Sequence, residues 1–136
     1  MREKWATVDV LGPLYMDLVL ITFSIPELFV CEDKNANKYL TVLYDEDGEQ
    51  YLSVKVTAQN LLEMLEGKIS IEAAFRTAEE GKVYFIMSDE KGYQCSSGSI
   101  SEVSPSDLPD SGVHFSLKSN IIYSYIEGLR ALQNNV

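Results

Sequence analysis

Few residues of this chain are of types that carry chemistry. The only histidine, His114, sits between Val113 and Phe115, with Ser116 two positions on. On a strand those two side chains share a face, so any nucleophile–base pair or histidine acid–base role rests on this one ring. No Gly-x-Ser-x-Gly elbow occurs, and His114 reads as a surface or packing residue. Asp33-x-Asn35-x-Asn37 imitates the opening of a calcium loop, but Lys38 stands where such a loop needs Gly and Tyr44 where it needs a bidentate Glu. That spacing predicts an Asn-rich turn instead. Asp45, Glu46, Asp47 and Glu49 crowd one short connection. Carboxylates at a hairpin tip are solvated as a rule, so these four are the candidate protein-binding residues and no metal is assigned to them.

Other constellations add nothing catalytic. The glycines are isolated, giving neither a P-loop nor a dinucleotide fingerprint. The acidic pairs Glu79-Glu80 and Asp89-Glu90 fall at helix ends and turns. Cys31 and Cys95 have no CxxC or histidine-rich surroundings, which leaves no zinc knuckle or thioredoxin motif. Each lies in a strand-like run and is expected to be a reduced thiol. No catalytic residue, cofactor or metal is therefore assigned.

Periodicity shows what must position these residues. Tyr39–Tyr44 and Tyr51–Val56 are rich in aromatic and β-branched residues and flank Asp47-Gly48, a pair suited to the positive φ of a hairpin turn. Leu52, Val54 and Val56 share one face of the second strand, and Tyr51, Ser53 and Lys55 the other. Both faces of the first strand are apolar, as in a central strand covered on both sides. Tyr39, Tyr51 and Tyr93 are placed to line one sheet face together, filling the gap between sheet and helices.

After the hairpin the period becomes helical. Thr57 is the expected N-cap of a helix with Leu61, Leu62 and Leu65 on its buried face, closed by Gly67. Ser70 caps a second helix carrying Ile71, Ala74, Phe75 and Ala78, closed by Gly81, and Val83–Met87 returns as a strand. Earlier in the chain, Trp5–Leu11 alternates as a strand that Gly12-Pro13 breaks. Leu18–Phe23 is a buried strand that Pro26 ends or bends, and Leu28–Asp33 is the next. Later, Tyr93–Ile100 is a weak, bulged edge strand, Ser101–Gly112 a loop and Val113–Leu117 a last short strand. Asn120 caps a closing helix with Ile121, Ile122, Tyr125, Ile126, Leu129 and Leu132 on its apolar stripe.

A chain of 136 residues predicts a single domain, large enough to fold around its own core. The apolar share of 46% and charged share of 24% are those of a globular protein. The formal charge of −10, from 21 acidic and 11 basic residues with no basic run, argues against nucleic-acid binding. The longest apolar stretches are too short to span a bilayer. No secretory leader is visible, and the expected location is the cytoplasm.

The run Leu28–Ile86 resembles a family of small uncharacterised bacterial and phage-borne domains. The matching positions include Phe29, Tyr39, Leu40, Tyr51, Leu52, Val54, Leu62, Leu65, Gly67, Ile69, Ala74 and Phe75, with Ile71 where the loose pattern has Leu. Each of those positions is accounted for by packing or capping. The resemblance implies a prokaryotic, cytoplasmic setting and no known reaction.

The expected fold is an α+β domain, an antiparallel sheet of five to seven strands with two short central helices and a C-terminal helix packed on one face. The expected function is a protein-interaction module, an immunity, inhibitor or regulatory partner that offers its acidic hairpin edge to a basic protein. A homodimer through an edge strand is a further expectation. The second reading is a small-molecule sensor or minor enzyme with a pocket between helices and sheet. The third is a DNA mimic, which needs carboxylates spaced like phosphates along one face.

Overall fold

The structure is a computed structural model that describes residues 4–8, 11–23, 25–45, 49–89, 92–116 and 119–134. Seven strands close into a barrel in chain order: β1 (Lys4–Val8), β2 (Gly12–Phe23), β3 (Ile25–Glu32), β4 (Lys38–Asp45), β5 (Gln50–Val56), β6 (Lys82–Asp89) and β7 (Gly92–Ser99). Sequential neighbours pair antiparallel, and β7 meets β1 in parallel through Val8 and Tyr93. Helices α1 (Ala58–Leu65) and α2 (Ile71–Arg76) fill the β5–β6 crossover, and α3 (Asn120–Asn134) follows a long irregular connection.

The expected open α+β sheet with helices on one face is therefore overturned: the sheet curls round and closes on itself. The reason lies in the second face of its central strands. Leu40, Val54 and Val56 pack outward, in one core with the helices. Phe29, Cys31, Tyr39 and Tyr51 point the opposite way and are buried in a second core with Val8, Leu14 and Ile86. The helices cover only the outside, so the inner face escapes water by wrapping around itself. Tyr39, Tyr51 and Tyr93 accordingly meet inside the barrel and not between sheet and helices. Trp5 stands edge-on to Phe29 and Tyr51 with ring centroids 4.9 and 5.1 Å apart.

Several local expectations shift with closure. Gly12-Pro13 does not end a strand but begins one: Gly12, at φ +74, turns the chain and pairs with Val8. β2 runs unbroken to Phe23 with register shifts that bend it, and Pro26 lies inside β3 opposite Thr22. β7 is not a bulged edge. It pairs with β6 from Lys82↔Ser99 to Asp89↔Gly92 without a shift, and Gly98 leaves room for the Phe85 ring, which an added Cβ would approach to 3.3 Å. The segment 113–116 is irregular and not a strand, and Leu117 lies outside the described residues.

The helix caps follow hydrogen-bonding chemistry. Thr57 and Ser70 accept from the backbone N–H of Asn60 and Ala73 at 3.1 and 3.0 Å. The cap of α3 is Ser119 and not Asn120: its Oγ accepts from the Ile122 N–H at 3.2 Å. No helix among the described residues is long and apolar enough to cross a membrane.

Candidate functional site

The acidic connection selected from sequence is only partly placed. Asp45 is exposed at the end of β4 and Glu49 opens the return at φ +48. Glu46 and Asp47, with the expected Asp47-Gly48 turn, lie outside the described residues. Tyr44 donates to Gln50 Oε1 at 2.7 Å across the base of this turn.

The calcium-like spacing resolves into a turn. Asp33 Oδ1 accepts from the backbone N–H groups of Asn35 and Asn37 at 2.9 and 3.0 Å, while Oδ2 accepts from Asn37 Nδ2 at 2.9 Å and from the Tyr39 hydroxyl at 3.3 Å. Ala36 takes φ +66 to complete the loop. Burial pushes the Asp33 carboxyl up, but the hydrogen bonds from Asn37, Asn35 and Tyr39 outweigh it and hold it below the usual carboxylate value. Its oxygens are thus engaged in holding the β3–β4 turn. Among the described residues no three His, Cys, Asp or Glu side chains are grouped to hold a metal ion.

Inside the barrel, chemistry is muted by packing. Cys31 Sγ lies 3.4 Å from Thr41 Oγ1, which lies 2.9 Å from Ser53 Oγ. Burial pushes the Cys31 thiol up to about 12, so it is not a nucleophile at neutral pH. Both cysteines are thiols.

On the outer wall a charge cluster fastens α3. Lys38 Nζ lies 2.6 Å from Asp17 Oδ2 and 2.5 Å from Glu32 Oε2, with the three side chains 12–14% exposed. The Tyr125 hydroxyl donates to the same Asp17 oxygen at 2.6 Å, and Lys38 stands 5.3 Å from the Tyr125 ring centroid. Burial, then the bond to Asp17, raise the Tyr125 hydroxyl well above an ordinary tyrosine.

The structure's open concavities flank the irregular segment 113–116. On one side, a cleft of approximately 390 Å³ lies between α1 and α3, lined by Leu65, Glu66, Phe115, Tyr123, Ile126 and Arg130 among others. On the other, a hollow of approximately 260 Å³ is bounded by Leu20, Ile21, Ile71, Val113, His114 and Phe115. Buried Phe115 separates them and Ser116 borders both. Ile21, Val113 and Tyr123 stand 45, 46 and 51% exposed along this groove, although they are large and apolar.

Hydrogen bonds hold the segment in place. The Ile71 N–H donates to the Val113 carbonyl at 2.9 Å, and Gly67, at φ +77, passes so close that a Cβ would sit 3.3 Å from the Phe115 carbonyl oxygen. The cleft rim is charged: Arg130 pairs with Glu66 and, at 3.0 Å, with Glu127. The Arg130 bond holds the Glu66 carboxyl below its usual value.

His114 and Ser116 are both exposed here, and the His114 Nδ1–H donates to the Gly112 carbonyl at 2.9 Å. That bond ties the ring to the turn before it. The groove was not readable from periodicity, because Ile21, Leu65, Ile71 and Val113 come from four separate parts of the chain. The one local signal was Val113-His114-Phe115, apolar residues next to a loop rich in serine and proline.

The sequence profile of a family of unknown function, DUF6575, matches residues 6–134, and the chain belongs to that family. No curated protein matches the chain, and no solved structure does.

Proposed function

We propose that this member of DUF6575 is a non-catalytic protein-binding module that receives its partner along the groove beside Val113–Ser116. The observation that carries the reading is the exposure of Ile21, Val113 and Tyr123 around two concavities that share Phe115. Apolar side chains of that size in contact with water gain free energy when a partner covers them. The formal charge of −10 favours a basic partner, and the acidic turn at Asp45, Glu46, Asp47 and Glu49 would speed its approach at low ionic strength. An immunity, inhibitor or regulatory role fits such a surface. The two thiols fit a reducing compartment such as the cytoplasm.

The test is capture from a native lysate by immobilised wild type and by Ile21→Asp and Val113→Asp variants. A partner retained by the wild type and lost by both variants, with faster association at low salt, supports the reading. Equal retention by all three proteins overturns it.

One observation favours a small ligand instead. The larger cleft has the volume of a ligand pocket and places Glu66, Tyr123 and Arg130 together on an apolar floor. A ligand screen by thermal shift separates the two readings: small-molecule stabilisation that Arg130→Ala abolishes would replace the interaction module.

A further inference from the structure

We infer that α3 is a displaceable strap: it swings off the barrel and α1 as a unit while the ring of strands stays folded. The first observation is the division of the core. The buried interior of the barrel draws its residues from Ala6 to Ile86 and packs against others up to Cys95, so α3 contributes nothing to it. Removing α3 therefore leaves the interior core in place and opens only the outer one, where Ile122, Ile126 and Leu129 join strand residues such as Leu18 and Val30.

The second observation is how lightly the helix is seated. Among its residues whose burial is described, Ile122, Ile126 and Leu129 are buried and Tyr125 is half-buried against the same core. Ile121 and Leu132 stand 73 and 56% exposed on its outer side. The approximately 390 Å³ cleft opens directly against Ile122 and Ile126, so the seat is incompletely filled. α3 rests chiefly on α1. The described part of the connection before α3 is itself pinned, by buried Ile100, Val103, Leu108 and Phe115 and by the Ile71–Val113 bond, so it stays on the barrel when α3 leaves.

The third observation is the fastening. Toward α1 the polar ties are Arg130–Glu66 and Gln133–Gln59, both on the surface. Toward the barrel the tie is Tyr125 to Asp17, whose carboxylate already binds Lys38 in the half-buried cluster with Glu32. When Tyr125 leaves, Asp17 keeps its ion pair with Lys38 and loses one hydrogen bond, so the barrel side of the latch is held by the same cation before and after release. Displacement uncovers Leu65 and Phe115 and merges the two concavities into one apolar trough. The use of that trough by a partner rests on the interaction reading above, whereas the movement does not.

Hydrogen exchange on the full chain tests the movement directly. Amides of α3 should exchange through an opening whose denaturant dependence is clearly above zero, set by the surface α3 uncovers, yet smaller than that of β4 and β5, which exchange only by global unfolding. Tyr125→Phe should speed α3 exchange by about tenfold or more, the factor expected for losing one hydrogen bond to a charged group, and, because the unfolded chain lacks that bond too, speed β4 by the same factor so that the gap between α3 and β4 is kept. One common rate and denaturant dependence for α3 and β4 in the wild type overturns the strap. Unchanged α3 exchange in Tyr125→Phe overturns the latch. A protein whose α3 opens but whose groove captures no partner would keep the strap and discard the interaction reading.

Discussion

The inside of the barrel and the layer outside it are packed by different rules. Inside, Trp5, Phe29, Tyr51 and Tyr93 meet edge-on or tilted, with centroids 4.9–5.8 Å apart. The polar atoms there, on Cys31, Thr41 and Ser53, find one another. Outside, aliphatic side chains from the strands meet three helices and an irregular segment, leaving hollows beside Phe115 and a charged cluster beneath α3. A ring of strands encloses a fixed volume that its side chains must fill, whereas helices laid on a curved wall touch it along lines. The interior therefore supplies rigidity, and the seams between the outer elements supply surface able to change.

The sharpest test of that contrast is Phe29→Ala. The ring is fully buried between Trp5 and Tyr51, so urea unfolding should show a loss of roughly 3–5 kcal/mol with faster amide exchange in every strand. A loss under about 1 kcal/mol would mean that the interior does not hold the ring, and the comparison would break.

Next in size is Lys38→Met. It strips the cation from Asp17 and Glu32 on the outer wall. The cluster keeps some access to water, so the expected cost is near the low end of the roughly 3–5 kcal/mol seen when one partner of a buried pair is removed. Amides that exchange by global unfolding should quicken by the common factor which that cost sets, and those of α3 and the adjoining ends of β2–β4 by no less. A loss under about 1 kcal/mol would show that the cluster does not fasten the outer layer.

The smallest effect belongs to the turn at the barrel rim. The Asp33 carboxyl is held below its unfolded value of about 3.9. A depressed carboxyl contributes stability that is fully present above the unfolded value and is lost as pH falls through the folded one. Asp33→Asn should therefore flatten the fall in stability below about pH 4 in an acid titration. At neutral pH it should cost only what is lost from the hydrogen bonds to Asn35, Asn37 and Tyr39. An unaltered acid slope would show that the rim turn is not sensed by the fold.

Much of the local plan was legible in the chain. The hairpin strands, both central helices and the caps at Thr57 and Ser70 lie where alternation, helical spacing and hydroxyl chemistry put them. Closure was not legible, because it depends on β1 meeting β7 through Val8 and Tyr93, far apart in sequence. A signal was nonetheless present. β4 is apolar on both faces and Tyr51 adds to its second one from β5, yet the chain holds helices enough for one, so the face bearing Tyr39, Thr41 and Tyr51 had to be covered by the sheet itself. Gly12-Pro13 and 113–116 were misread for a shared reason: local composition says where a chain turns but not what it turns toward. The acidic tip stood out by charge, and the groove only by Val113 and Phe115 beside a serine-rich loop until Leu20 and Leu65 were brought to them.

The parallel contact between the first and last strands follows from parity. In a meander each strand reverses the one before it, so an odd number of strands brings the seventh round pointing the same way as the first. Such a ring cannot be zipped shut by one more hairpin, and among the described residues its seam is joined by one bridged pair where its other joints have between four and eight. That joint is where an incoming extended peptide, or a twin copy adding its own strand, would have to prise the cylinder apart.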